Sequence, residues 1–260
     1  MTVPETLHRI PLRPWRWLPW LLVSQLLVVL AWVGLGWPVG LALMVASHAL
    51  FMVPVFLPNS RFYAPVLSRL TGSAPRVWLT IDDGPSPETP AVLDLLDRYQ
   101  AKATFFLVGE RALAQPELVR QMLARGHSLG NHSHRHPQTR FWRLGRAAMA
   151  DEIAQCQQAL TAIAGQPPRW YRSVVGMTNP FVAPALAQWQ LTRVGWSARG
   201  FDGVDCQPAA VVERIVADLG PGAIVLLHEG AAHGHNLAII EAVLQALQDR
   251  GLSAVLPEAA

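Results

Sequence analysis

Polar and apolar positions divide this chain into two unlike parts. From Trp17 to Ser60 there is no Asp, Glu, Lys or Arg. That run is about twice the roughly 20 apolar residues that one bilayer-spanning helix needs. Gly34-Leu35-Gly36-Trp37-Pro38 breaks it near its middle. The pattern predicts two spans, about 17–35 and about 39–57. Trp17, Trp20, Trp32 and Trp37 fall near the proposed ends, where indole rings favour the membrane interface. A cleaved signal peptide would carry an apolar stretch of about 7–15 residues and a small-residue cleavage site; this run is far longer. Gln25 and His48, inside the spans, are expected to be packed or interfacial.

Beyond Arg76 short apolar runs alternate with helix-period patterns. Strands are expected at Val77–Ile81, Ala103–Val108, Ser128–Gly130, Trp170–Arg172, Leu191–Trp196, Ala223–Leu227 and Leu252–Leu256. Helices are expected through Val92–Leu96, which starts near Ser86 or Thr89, and over about 116–125, 145–164 and 237–250, with Gly251 as a stop signal. Alternation of this kind predicts an α/β fold with a parallel sheet or barrel. In such folds the chemistry sits at the C-terminal ends of the strands. The polar residues meet that demand: Asp82 and Asp83 follow the first strand, His132 and His136 the third, Arg172 ends the fourth, Asp202 follows the fifth and His228 ends the sixth.

Charge adds a sidedness. Up to Arg76 there are six arginines against one glutamate, a net of +5, whereas the remainder has 15 basic and 17 acidic residues. The arginines flank the apolar run on both sides and are missing from its middle. The positive-inside rule then puts both ends of a helical hairpin in the cytoplasm. The overall +3 is too small to argue for nucleic acid. Cys156 and Cys206 make neither a metal-ligand pair nor a disulfide framework and are expected to be free thiols.

Two stretches carry candidate chemistry. In Thr80-Ile81-Asp82-Asp83-Gly84-Pro85 two adjacent carboxylates end a strand, a costly arrangement if buried unless a cation relieves it. A pair of turn-capping aspartates before Gly-Pro is the plainer reading. In Asn131-His132-Ser133-His134-Arg135-His136-Pro137 three histidines fall within five positions. Neutral imidazole is a common zinc ligand, and two histidines with one carboxylate leave positions open for water and substrate.

The combination of TIDDGP, H-S-H-R-H and a later Leu226-Leu227-His228 resembles the polysaccharide deacetylases, the carbohydrate esterase family 4 enzymes that share the nodulation-factor deacetylase domain. The resemblance covers about Arg76 to Leu256. It implies a distorted (β/α) barrel, with 1–60 as an N-terminal two-helix anchor, 61–75 as a juxtamembrane linker and 76–260 as the catalytic domain. It implies that Asp82 is the catalytic base, that Asp83, His132 and His136 bind a divalent metal, and that Ser133 holds the loop. His134 then points elsewhere. The family's third motif, roughly R-P-P-Y-G with a following Asn, stands here as Arg172-Ser173-Val174-Val175-Gly176 and Asn179. Arg172 would pair with Asp82, and the backbone N–H of Val175 would be the oxyanion donor. The Pro-Pro-Tyr is missing, and with it an aromatic wall of the groove. Asp202, with Asp205 as a rival, would tune His228, the general acid; His233 and His235 are expected at the surface.

The implied activity is removal of an N-acyl group, most simply N-acetyl, from an amino sugar. Zinc is the default metal, with cobalt, nickel and manganese as alternatives. A cytoplasmic, bilayer-anchored domain points to a glycolipid or polyprenyl-linked sugar as substrate. The competing expectations are a periplasmic peptidoglycan or exopolysaccharide deacetylase, and an inactive sugar-binding or scaffold protein.

Overall fold

The computed structural model describes residue 7, residues 9–204 and residues 207–257. The apolar run forms helices α1 (Leu18–Leu35) and α2 (Trp37–Met52), the second prolonged by a 3-10 turn at Val53–Val55. Gly36, at φ 88°, reverses the chain between them. At 1.5 Å per residue the first helix is about 27 Å long, close to the thickness of a bilayer core. The helices approach closely at Gly40, where any Cβ would stand 2.6 Å from the Trp32 ring. Between them Gln25 Nε2 donates to Ser47 Oγ (2.9 Å), which donates to Ser24 Oγ (3.0 Å). Gln25 is therefore packed, as expected; His48 is exposed and, among the described residues, bonds the Met44 carbonyl of its own helix. Most other side chains of the hairpin, Leu22, Val33 and Leu35 among them, face outward.

The second part is a curled sheet of eight parallel strands among the described residues: β1 (Arg76–Gly84), β2 (Ala103–Leu107), β3 (Ser128–Asn131), β4 (Trp170–Tyr171), β5 (Thr192–Arg193), β6 (Ala198–Arg199), β7 (Ile224–His228) and β8 (Ser253–Ala254). The order is β5-β4-β3-β2-β1-β7-β6, with β8 also pairing β1. Helices α3 (Thr89–Arg98), α4 (Gly109–Ala114), α5 (Pro116–Ala124), α6 (Arg146–Ala164), α7 (Val182–Gln188), α8 (Pro208–Ala217) and α9 (Asn236–Asp249) connect the strands. Side chains alternate across the sheet. Val77, Leu79, Ile81, Phe105, Val225 and Leu227 pack outward on the helices. Trp78, Phe106, Trp170, Ile224 and Leu226 pack inward and fill the barrel.

The sheet does not close, because β5 and β6 are not paired. The N-terminal region fills this seam. Leu67 bridges to Val194 beside β5, Arg69 bridges to Ala223 at the start of β7, and Leu7, Leu67 and Leu70 join the inner core. The backbone N–H of Arg9 donates to Thr192 Oγ1 (3.0 Å) in β5. The stretch 61–75 is irregular, as a linker would be, yet Tyr63, Ala64, Val66 and Leu67 are buried and built into the barrel.

Two expectations need correction. The strand expected over Leu191–Trp196 is only the short β5, because Gly195 donates its N–H to Leu67 and leaves the ladder, and a further strand not expected, β6, follows it. Asp202 thus follows the sixth strand and His228 ends the seventh. Helices α4, α7 and α8 were not expected from the pattern.

Candidate metal centre and active site

At the C-terminal end of the barrel, strand register brings the expected residues together. Asp82 pairs in register with Phe106 on one side and His228 on the other. Beyond Asp82 the chain turns sharply: Asp83 takes φ 71°, and Ser133, His136, Val175 and Phe201 are likewise left-handed. Five of the seven non-glycine residues with positive φ among the described residues lie in the loops around this one cleft, where strain is tolerated because the surroundings impose it. Val175, at φ 54° and ψ 17°, is β-branched and so especially costly there.

His132 Nε2 and His136 Nε2 stand 3.4 and 3.1 Å from Asp83 Oδ1. Donors about 2.1 Å from a shared tetrahedral ion would stand about 3.4 Å apart. Asp83 Oδ1 is buried with no hydrogen-bond partner, an orphaned carboxylate oxygen aimed at two imidazoles. His132 Nδ1 faces the Arg172 carbonyl at 2.9 Å, so the N–H sits on Nδ1 and the Nε2 lone pair is left for a cation. Electrostatics agrees. Burial would raise Asp83, but the His132 imidazole, with His136 and His228, holds it well below the usual carboxylate range. Burial lowers both imidazoles; Asp82 and Asp83 outweigh it at His132, whereas His136 is pushed down to about 3 by burial and the His132 charge. A divalent cation between the two imidazole nitrogens and the carboxylate oxygen would satisfy all three donors at once. The donor set therefore fits a divalent metal.

The remaining groups surround this centre. Arg172 is fully buried; its Nη1 donates to Asp82 Oδ1 (2.8 Å) and Thr80 Oγ1 (2.7 Å), and its Nη2 to the Gly195 carbonyl (2.9 Å). His228 Nδ1 lies 2.9 Å from Asp202 Oδ1, and Asp202 Oδ2 accepts the His228 backbone N–H. Burial lowers the His228 imidazole, but Asp202, with Asp82 and Asp83 behind it, raises it to about 9. Asp205, the rival partner, and Cys206 lie outside the described residues. Val175 lines the cleft, half-exposed, together with Gly176, Trp196, Arg199, Phe201, Gly203 and Val204.

The loop of histidines is held from outside. Asn131 Oδ1 accepts the Ser133 N–H (3.0 Å), and Ser133 Oγ accepts the His136 N–H (3.2 Å). Ser133 therefore does brace the loop. His134 turns away and packs against Gly109 at the start of α4. Glu152, buried on α6, accepts the backbone N–H groups of both His134 (3.0 Å) and Arg135 (2.9 Å). Asn179 likewise ties its segment to the Leu144 carbonyl (3.0 Å). His233, expected at the surface, is half-buried and bonds the Asp202 carbonyl through Nε2 (2.7 Å). Glu229, next to His228, is buried and accepts from Ser86 and Thr89 at the head of α3; burial pushes it up to about 7. Sequence reasoning missed Glu152 and Glu229. The one available signal was an acidic residue on the apolar face of a helix or at a strand end. Cys156 is a buried free thiol pushed up to about 12 by burial, and is inert.

The hairpin meets the site directly. The Val55 carbonyl accepts the Thr178 N–H (2.9 Å), Asn59 Nδ2 donates to the Trp196 carbonyl (2.9 Å), and Pro58 fills the space beside Gly176. Arg193, fully buried, donates to the carbonyls of Pro58 (2.6 Å), Ser60 (3.0 Å) and Gly176 (3.3 Å).

Comparisons with known proteins identify relatives of this chain. The polysaccharide deacetylase family profile matches residues 69–194. A chitooligosaccharide deacetylase of Bradyrhizobium sp. is 36% identical over 183 residues, spanning 70% of this chain and 83% of that protein. The peptidoglycan-N-acetylglucosamine deacetylase PgdA of Listeria monocytogenes is 32% identical over 201 residues, 75% of this chain and 40% of that longer protein. Among solved structures, the family 4 carbohydrate esterase from Streptomyces lividans, in complex with acetate, superposes with a TM-score of 0.64 at 34% identity, covering 71% of this chain and 94% of that one.

Proposed function

Since this chain belongs to the polysaccharide deacetylase family and is a metal-dependent carbohydrate deacetylase, we propose that it removes an N-acyl group, most simply N-acetyl, from a lipid-linked amino sugar at a membrane surface. Asp83, His132 and His136 hold the divalent ion, zinc by default for this donor set. The bound ion supplies Lewis acidity to the water and to the amide carbonyl. Asp82, oriented by Arg172, takes the proton as the water oxygen attacks the carbonyl carbon. The Val175 N–H donates to the oxygen that gains negative charge. His228, paired with Asp202, gives its proton to the sugar nitrogen as the C–N bond breaks. The products are a carboxylate and a free amine.

One observation carries the lipid assignment. The base of the apolar hairpin is fastened to the wall of the cleft, through Pro58 at Gly176 and Val55 at Thr178. On this reading α1 and α2 cross the bilayer, Arg9, Arg13, Arg16, Arg61, Arg69 and Arg76 keep both ends in the cytoplasm, and the cleft opens within reach of the headgroups. Comparative mass spectrometry of membrane lipids from cells with and without the intact enzyme tests this. One glycolipid is expected to lose an acyl-sized mass when the enzyme is present. No shift in any lipid would discard the lipid-linked substrate.

The relatives' names favour a second reading, in which the substrate is a chitooligosaccharide or peptidoglycan and the catalytic domain faces outward. C-terminal reporter fusions separate the two. A fusion active only when exported rules out the cytoplasmic domain.

A further inference from the structure

The ionised side chains lining the cleft are held in close ion pairs or hydrogen bonds, with one exception. Asp82 has Arg172, Asp83 has two imidazoles, and His228 has Asp202. Arg199 lines the same cleft and makes no hydrogen bond or ion pair with any described residue. Its Nε is buried and unsatisfied. The guanidinium carbon lies 5.0 Å from the Trp196 ring and 4.1 Å from the Phe201 ring. Arg199 belongs to β6, a strand of the barrel wall, so its backbone is fixed. Phe201 holds its side of the pair from a left-handed conformation at φ 67°.

A buried donor left without an acceptor costs free energy. A guanidinium flanked by two rings has its faces in use and its N–H edge free, and that edge matches a planar or tetrahedral oxyanion with two parallel bonds. Asp202 and Asp82 attract Arg199 only through space: Asp202 is bonded to His228 and Asp82 to Arg172, and neither bonds the free N–H edge. The rim next to Arg199 is apolar and open: Phe201 is 45% and Val204 82% exposed, and Val175 across the cleft is 49% exposed. Anion first and apolar surface beyond it is the order of groups in a sugar joined to an isoprenoid carrier through phosphate.

We propose that Arg199 is an anion subsite that binds a phosphate group on the amino sugar, beside the metal centre. This rests on the deacetylase reading of the same cleft and goes beyond it, since it names what the sugar carries. A soluble sugar phosphate and a lipid-linked one share this chemistry, and the substrates chosen below separate them.

The test uses the full-length, metal-loaded protein in lipid nanodiscs. kcat/KM is measured for methyl N-acetylglucosaminide, N-acetylglucosamine 1-phosphate, its phytanyl phosphodiester, and N-acetylmuramic acid, whose anion is a carboxylate. The phosphorylated sugars are expected to be favoured over the neutral one by about 10–100-fold, the range of one charge-assisted pair. That ratio should collapse toward one in Arg199→Gln and recover in part in Arg199→Lys, with unchanged melting as the control for folding. A further gain for the phytanyl diester marks the lipid-linked source; equal rates for the two phosphates mark a soluble one. Three results overturn the subsite: no phosphate preference in the wild type, an equal ratio in Arg199→Gln, or a larger preference for the carboxylated sugar. Titration of the same preparations with glucosamine 1-phosphate keeps the two readings apart. If no N-acetyl sugar is hydrolysed the deacetylase reading falls, but binding that weakens about tenfold in Arg199→Gln still upholds the subsite; binding that does not weaken removes it.

Discussion

Single residues here divide into those that hold the cation and those that move protons, and substitution should separate them. Asp83→Ala, His132→Ala and His136→Ala are expected to lose both bound metal and hydrolysis. Asp82→Asn and His228→Ala should keep the metal, measured by elemental analysis, and lose about 10²–10⁴ in kcat. Metal content that survives all three of the first set would remove the ligand assignment. The pair His228 and Asp202 makes a second claim. Only a protonated imidazole can donate to the leaving nitrogen. Held at about 9, His228 stays charged through neutrality, so kcat/KM should fall as pH rises through that region. Burial opposes the charge and Asp202 is the largest influence favouring it, so Asp202→Asn should move the basic limb to lower pH. A limb that stays in place would mean that another group titrates.

At the scale of elements, the site depends on how loops are braced by helices behind them. Glu152 is the clearest instance: one buried carboxylate oxygen accepts two consecutive backbone N–H groups between the two histidine ligands. Glu152→Ala should weaken metal affinity about 10–100-fold, as loss of outer support to ligands does elsewhere, when zinc is competed with a chelator of known affinity. An affinity within twofold of wild type would mean that the loop holds itself. Such support was the least legible part of the sequence. Strands β1, β2 and β7 announce themselves as apolar runs longer than one period, and the motifs at their ends follow directly. Strands β4, β5 and β8, two residues each, fall inside longer apolar runs that signalled them, whereas β6, also two residues, left no periodicity to register. α4 has six residues, and α8 shows only Val211 and Ile215 on its buried face. Asp83, His132 and His136 are local in sequence or nearly so. Glu152, Arg193 and Arg199 take their meaning from partners in other loops, and from the absence of one, which spacing along the chain cannot express.

For the whole molecule, hairpin and barrel form one packed structure. Segments on both sides of α1 and α2 occupy the seam that β5 and β6 leave open, with Leu67 completely buried there. Leu67→Ala is therefore expected to cost about 2–5 kcal/mol of stability, the range for a core leucine, by denaturant unfolding in detergent. A cost near zero would return the stretch to the status of a tether. The seam also imposes an order in time. The segment that fills it is made early and lies next to the hairpin, whereas Ala223, to which Arg69 bridges, is made near the end. During synthesis the early segment must wait, its apolar side chains uncovered, until β7 arrives to pair with β1. Closure is thus a late and long-range event, of the kind that folds slowly. If α1 and α2 cross a bilayer as proposed, the nascent chain would spend that interval tethered, where unfinished neighbours cannot readily borrow its open edge.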